Sequence, residues 1–134
     1  NMSSYVADQV TKLMTKKHIH VAGANILIMG LTFKENCPDL RNTRVVDLVT
    51  EFESLDCNLD VYDPWANQEE AEREYGIKPI NNPINDRYDA ILLAVAHDEF
   101  KKLTLEQIKA YGKDNHVIYD IKYLLEVDEV DGRL

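Results

Sequence analysis

Ile26-Leu27-Ile28-Met29-Gly30-Leu31-Thr32-Phe33-Lys34-Glu35-Asn36-Cys37-Pro38-Asp39-Leu40-Arg41-Asn42-Thr43 passes from an apolar run, through a glycine, into a polar loop with an isolated lysine and an isolated arginine. A short continuous apolar run bounded by turn residues reads as a strand covered on both faces. Val45, Val46, Leu48, Val49 and Phe52 follow at helical spacing, so the loop joins a strand to a helix, with Asn42 or Thr43 as its expected N-cap. In open α/β sheets, ligands bind beyond the carboxyl ends of the strands. Lys34 and Arg41, seven residues apart in such a loop and close to a helix start, form a candidate anion site.

The same alternation extends in both directions. Upstream, Tyr5, Val6, Val10, Leu13 and Met14 recur at helical spacing between Ser4 and Lys17, and Lys16-Lys17-His18 places positive charge at the C-terminal end of that helix. Gly23 marks the turn into the strand 25–29. Downstream, 57–62 reads as a second strand closed by the turn Asp63-Pro64-Trp65, and Gln68 to Tyr75 reads as a charged helix stopped by Gly76. Asp89 to Ala96 is another continuous apolar strand, Leu105 to Tyr111 a helix ended by Gly112, and His116 to Asp120 the last strand. Strands alternating with helices predict a parallel sheet, a Rossmann-like, doubly wound, three-layer α/β/α domain. Neither G-x-G-x-x-G nor G-x-x-x-x-G-K-[ST] occurs, so a ligand here must be held by side chains and ordinary backbone.

With 134 residues, 45% of them hydrophobic and 29% charged, the chain has enough material for one core. A net charge of −9 argues against a nucleic-acid partner, and a bound anion must be held locally against the overall field. Cys37 and Cys57 are too few for a disulfide framework and read as free thiols. No apolar run is long enough for a membrane span and no signal peptide is evident, so the expected setting is cytoplasmic. The chain opens inside a helical pattern, as expected of a piece of a longer protein.

Each candidate has a bland counterpart. Lys34 could be an ordinary surface lysine, and Arg41 could be paired to Asp39 or Asp47. His97-Asp98-Glu99 follows an apolar strand, but one histidine in an acidic helix start fits loop ordering better than a metal or general-base role. Cys37 lacks a nearby histidine and is not a candidate nucleophile. Trp65 reads as packing on the domain edge or an interface. Lys122, after the last strand, could add a third cation or simply be solvated. No complete catalytic set and no zinc spacing is present.

The motifs G-L-T-F-K-E-N-C-P-D-L-R-N-T, D-V-Y-D-P-W, Y-D-A-I-L-L-A-V-A-H-D-E-F and V-I-Y-D-I-K, in this order, resemble the C-terminal domain of the UDP-glucose/GDP-mannose dehydrogenase family over essentially the whole chain. C-P-D-L-R-N-T and A-V-A-H-D-E-F look closest to the branch that oxidises UDP-N-acetylhexosamines for bacterial surface polysaccharides. The opening N-M-S-S-Y-V-A-D-Q-V is similar to the end of a long linker helix. The resemblance therefore implies residues 1–20 as that helix end and 21–134 as the UDP-sugar-binding domain. It implies Phe33 and Lys34 on the UDP-sugar, Lys122 at a position where the family often has a nucleotide-contacting arginine, and Arg41 reaching toward NAD held mainly by another domain. The family oxidises C6 of the sugar to a carboxylate through a catalytic cysteine that neither Cys37 nor Cys57 matches, so this stretch alone is expected to be inactive. Homo-oligomers are common in the family. Alternatives are a GDP-mannose or UDP-glucose specificity, or a non-catalytic α/β module for binding or oligomerisation.

Overall fold

The computed structural model describes the whole chain, Asn1–Leu134. Helix α1 (Met2–Lys16) precedes strand β1 (Asn25–Met29), followed by α2 (Val45–Ser54), β2 (Asn58–Tyr62), α3 (Gln68–Tyr75) and β3 (Tyr88–Leu93). Then come α4 (Asp98–Lys101), α5 (Leu105–Tyr111), β4 (Gly112–Asp120), a 3-10 turn at Val127–Glu129 and a short β5 (Gly132–Arg133). The strands form one parallel sheet in the order β2-β1-β3-β4-β5.

Side chains alternate across a strand, so each central strand feeds two cores. Ile26, Ile28, Ala90, Leu92, Val117 and Tyr119 pack with α1 and α2 on one face. Leu27, Met29, Ile91, Leu93 and Ile118 pack with Phe100 of α4 and Ile108 of α5 on the other. Covered faces on both sides explain why β1 and β3 read as unbroken apolar runs. Local signals set the helix ends. The Asn67 side chain accepts from Glu70 N–H, Gly76 closes α3 at φ 69°, and Thr104 and Gln107 form a reciprocal capping box on α5. No helix is long and apolar enough to cross a membrane.

Four local expectations are corrected. The buried stripe of α1 is Val6, Ala7, Val10 and Met14; Tyr5 lies off it and is 53% exposed. Strand β3 ends at Leu93 rather than Ala96, because Ala94 and Val95 both turn their N–H groups onto Met29 O and leave the ladder. Neither Asn42 nor Thr43 occupies the N-cap of α2, which is Arg44; the Thr43 hydroxyl donates to Leu31 O and accepts from Val45 N–H. Strand β4 begins at Gly112 rather than His116: Gly112 caps α5 as expected but does so in extended conformation, φ −80°, and runs straight into the strand. The C-terminal segment, for which the sequence suggested no element, adds β5 to the edge of the sheet.

Candidate functional site

Loop 30–44 leaves β1 through a position that only glycine fits. Gly30 has φ +109°, its N–H donates to Tyr62 O, and a Cβ there would lie 2.6 Å from Val95 Cβ. This close approach of the β1 and β3 exits leaves a cleft of about 230 Å³ beyond the carboxyl ends of the strands. Phe33, Thr43, Arg44, Ile121 and Lys122 line it, together with Met2 at the start of α1. Arg44 and Lys122 are exposed, and neither head group takes part in an ion pair. An apolar ring (Phe33, 52% exposed) beside two unpaired cations suits a ligand with an aromatic part and an anionic part.

The structure thus brings two of the sequence candidates, Phe33 and Lys122, to one cleft, and leaves Lys34 and Arg41 outside its lining. Lys34 is exposed and acts electrostatically on Asp39. Arg41 is 85% exposed and grips the Asp39 carboxylate bidentately, Nε at 3.0 Å and Nη2 at 3.1 Å. That side-chain hydrogen bond, helped by the Arg41 N–H, holds the Asp39 carboxyl below the usual carboxylate range. Arg44 escaped the sequence reading, although its place directly after Thr43 at a helix start was a usable signal.

Behind the loop lies a polar cluster with no access to solvent. Asp63, at the exit of β2, accepts from Leu31 N–H (2.6 Å) and Thr32 N–H (2.9 Å) on Oδ2 and from Trp65 N–H (2.7 Å) on Oδ1. His97 Nε2 lies 2.9 Å from the same Oδ2, and both side chains are 0% exposed. Burial alone would raise the Asp63 carboxyl. The hydrogen bonds from His97, Leu31 and Thr32 outweigh burial and hold it below the usual carboxylate range. His97 Nδ1 accepts from Asn36 N–H at 3.0 Å, so the proton sits on Nε2. With both ring nitrogens engaged, His97 orders the loop; the metal and general-base readings do not fit it.

A second buried carboxylate, Asp120, ends β4 and accepts from Lys122 N–H (3.1 Å) and Leu125 N–H (2.8 Å), fixing the turn that presents Lys122. Cys37 is half-buried and Cys57 buried, both as free thiols. Trp65 covers His97, ring centroids 6.1 Å apart, and donates from Nε1 to Glu99.

Residues 27–127 match the UDP-glucose/GDP-mannose dehydrogenase family at its UDP binding domain. The chain belongs to this family. The chain is 55% identical to a UDP-N-acetyl-D-glucosamine 6-dehydrogenase of Pseudomonas aeruginosa, in an alignment that covers 99% of the chain and 32% of that protein. It is 50% identical to the enzyme of the same name from Salmonella typhi, over 100% of the chain and 32% of the relative. It therefore spans about a third of the length of these curated relatives. Among solved structures, the UDP-D-ManNAc dehydrogenase of Pyrococcus horikoshii superposes with a TM-score of 0.76 at 20% identity, covering 97% of this chain and 30% of that one. That likeness shows the shared fold. In this UDP-glucose/GDP-mannose dehydrogenase family member, loop 30–44 and the cleft residues Phe33, Thr43, Arg44, Ile121 and Lys122 lie within the matched residues, whereas Met2 of α1 lies outside them.

Proposed function

We propose that this chain is the nucleotide-sugar-binding part of an NAD-dependent UDP-N-acetylhexosamine 6-dehydrogenase serving surface polysaccharide synthesis in the bacterial cytoplasm. One observation carries the proposal: the family's UDP binding domain here presents Phe33, Arg44 and Lys122 around a single strand-exit cleft. The half-to-better identity with two UDP-N-acetyl-D-glucosamine 6-dehydrogenases supports the choice of sugar class.

In this reading Phe33 covers the uridine or sugar ring, while Arg44 and Lys122 face the diphosphate, with Lys34 adding charge at the rim. Binding energy collected at the diphosphate orients the distant sugar C6 for reaction on another part of the polypeptide. When bound, NAD supplies the hydride acceptor for the oxidation. Arg41 suits a contact with it: Nε and Nη2 are committed to Asp39, which leaves Nη1 free and the guanidinium oriented. Residues 1–20 would be the end of the helix that links this domain to the catalytic one.

The test is a titration of the 134-residue chain with UDP, UDP-GlcNAc and ADP, followed by backbone amide shifts. UDP and UDP-GlcNAc should move the Phe33, Arg44 and Lys122 signals, and ADP should not. Silence toward UDP up to about 1 mM, or an equal response to ADP, would reject the proposal.

A further inference from the structure

The turn that carries Phe33 and Lys34 is held at both ends by one imidazole. At its start, Thr32 Oγ1 lies 3.2 Å from His97 Nε2, and Thr32 N–H donates to the Asp63 oxygen that Nε2 also faces. At its end, Asn36 N–H donates to His97 Nδ1, and Asn36 Oδ1 accepts from Asp98 N–H at 3.0 Å. Between the two ends, the Thr32 hydroxyl donates to Lys34 O and Phe33 N–H donates to Asp39 O. Asn36 takes a left-handed conformation, φ 53°, which the two bonds to the His97–Asp98 segment hold in place.

The hydrogen-bond arithmetic closes on one arrangement. Asn36 N–H needs an unprotonated Nδ1, so Nε2 carries the proton and points it at Asp63 Oδ2 and Thr32 Oγ1. The Thr32 hydroxyl hydrogen, committed to Lys34 O, leaves an oxygen lone pair free to receive it. No buried side-chain polar atom is left without a partner. The ring is further fixed by Trp65 on one side and by an edge contact with Phe100, centroids 5.3 Å apart.

We infer that His97 and Asp63 are positioning residues for nucleotide-sugar binding: a buried Asp63–His97 clasp fixes turn 32–36, so that Phe33 and Lys34 meet the ligand already oriented. This inference rests on the UDP-sugar reading of the cleft. Its physical basis is pre-organisation, since a turn ordered before binding loses less freedom when the ligand arrives. The two residues act through the turn, because neither side chain has any surface from which to touch a ligand.

The experiment pairs a ligand readout with one that needs no ligand. In the wild-type chain, imidazole ¹⁵N shifts should show His97 protonated at Nε2 and bare at Nδ1. His97→Phe keeps a ring against Trp65 and Phe100 but removes both nitrogens. It should retain the amide spectrum of the sheet, lose sharp signals for 32–36 and bind UDP about tenfold more weakly. His97→Gln, which restores a donor and an acceptor on one side chain, should recover part of that loss. Should His97→Phe fail to fold, Thr32→Val carries the test, because it removes the hydroxyl link to Lys34 O and leaves the Asp63–His97 pair; it should weaken UDP by a few-fold. A proton found on Nδ1 would overturn the clasp. So would UDP affinity within about twofold of wild type in a folded His97→Phe or, failing that, Thr32→Val chain. A wild-type chain that ignores UDP overturns the cleft reading and the positioning role with it; a wild-type chain that binds beside variants that bind equally well overturns the clasp alone.

Discussion

His97 Nε2 lies 2.9 Å from Asp63 Oδ2, and this pair joins the exits of two strands that are not neighbours in the sheet: β2, which ends just before Asp63, and β3, whose trailing segment carries His97. The β1 exit runs between them. Two of its amides, Leu31 and Thr32, donate to the same carboxylate oxygen. Three consecutive segments of chain are thus tied at one buried oxygen.

The tie should be visible in the pH dependence of stability. The Asp63 carboxyl is depressed in the folded chain below the usual value of about 3.9, so its contribution is complete above that value and is lost as pH falls through the folded value. Asp39 is depressed too, but its partner Arg41 is a surface side chain and solvent screens the pair. Urea unfolding of the wild type should therefore show a midpoint that falls steadily on acidification below about pH 4, and Asp63→Asn should flatten that slope. At neutral pH, Asp63→Ala should cost roughly 3 kcal/mol by leaving His97 and the amides of Leu31, Thr32 and Trp65 without an acceptor.

Gly30→Ala should be costly although it adds one methyl group. The new Cβ would meet Val95 Cβ at 2.6 Å and the Val95 backbone nitrogen at 2.7 Å, at a φ of +109° that alanine rarely adopts. Roughly 2–4 kcal/mol of destabilisation in denaturant unfolding is the expected outcome. Gly23→Ala, at positive φ but with nothing near the added carbon, should cost only about 1 kcal/mol.

The unpaired cations of the cleft should govern affinity and its salt dependence. Arg44→Ala and Lys122→Ala should each weaken UDP binding by about tenfold and reduce the slope of affinity against salt concentration, as measured by calorimetry. Lys109→Ala, on α5 across the sheet, removes the same charge and should do neither.

The two thiols should react at very different rates. Cys57 is buried, its Sγ donates to Val21 O at 3.3 Å, and burial pushes its thiol up from the usual range. Cys37 is half-buried in the 30–44 loop. A thiol reagent should modify Cys37 promptly in the native chain and Cys57 only on unfolding.

What the sequence made legible follows the range of the interactions concerned. Helix α3 is bounded by Asn67 and Gly76, signals lying within one turn of its ends, and its limits are found where the letters place them. Strand β3 is overextended in the reading because Ala94 and Val95 are as apolar as the strand. Only the distant Met29 carbonyl decides that they turn away. Thr43 looks like a cap by its type, yet its hydroxyl is drawn to Leu31 O, twelve residues back. His97 shows the same limit at the site: a lone histidine carries no local trace of a carboxylate 34 residues earlier. Lys122 was singled out because strand exits are ligand positions in this class of sheet and Phe33 by the family resemblance, whereas Arg44, which lines the same cleft, became visible only once the cleft had walls.

The indole resting on His97 has one more use. The chain contains a single tryptophan, Trp65, and its ring lies against the imidazole while its N–H engages Glu99. Tryptophan fluorescence, excited where the seven tyrosines do not absorb, therefore comes from one site, and that site abuts the base of turn 32–36. Any event that shifts the turn, whether a nucleotide arriving, the carboxylate gaining a proton or the ring being replaced, should alter the colour or yield of this one emitter. The chain carries its own optical gauge, with no label required.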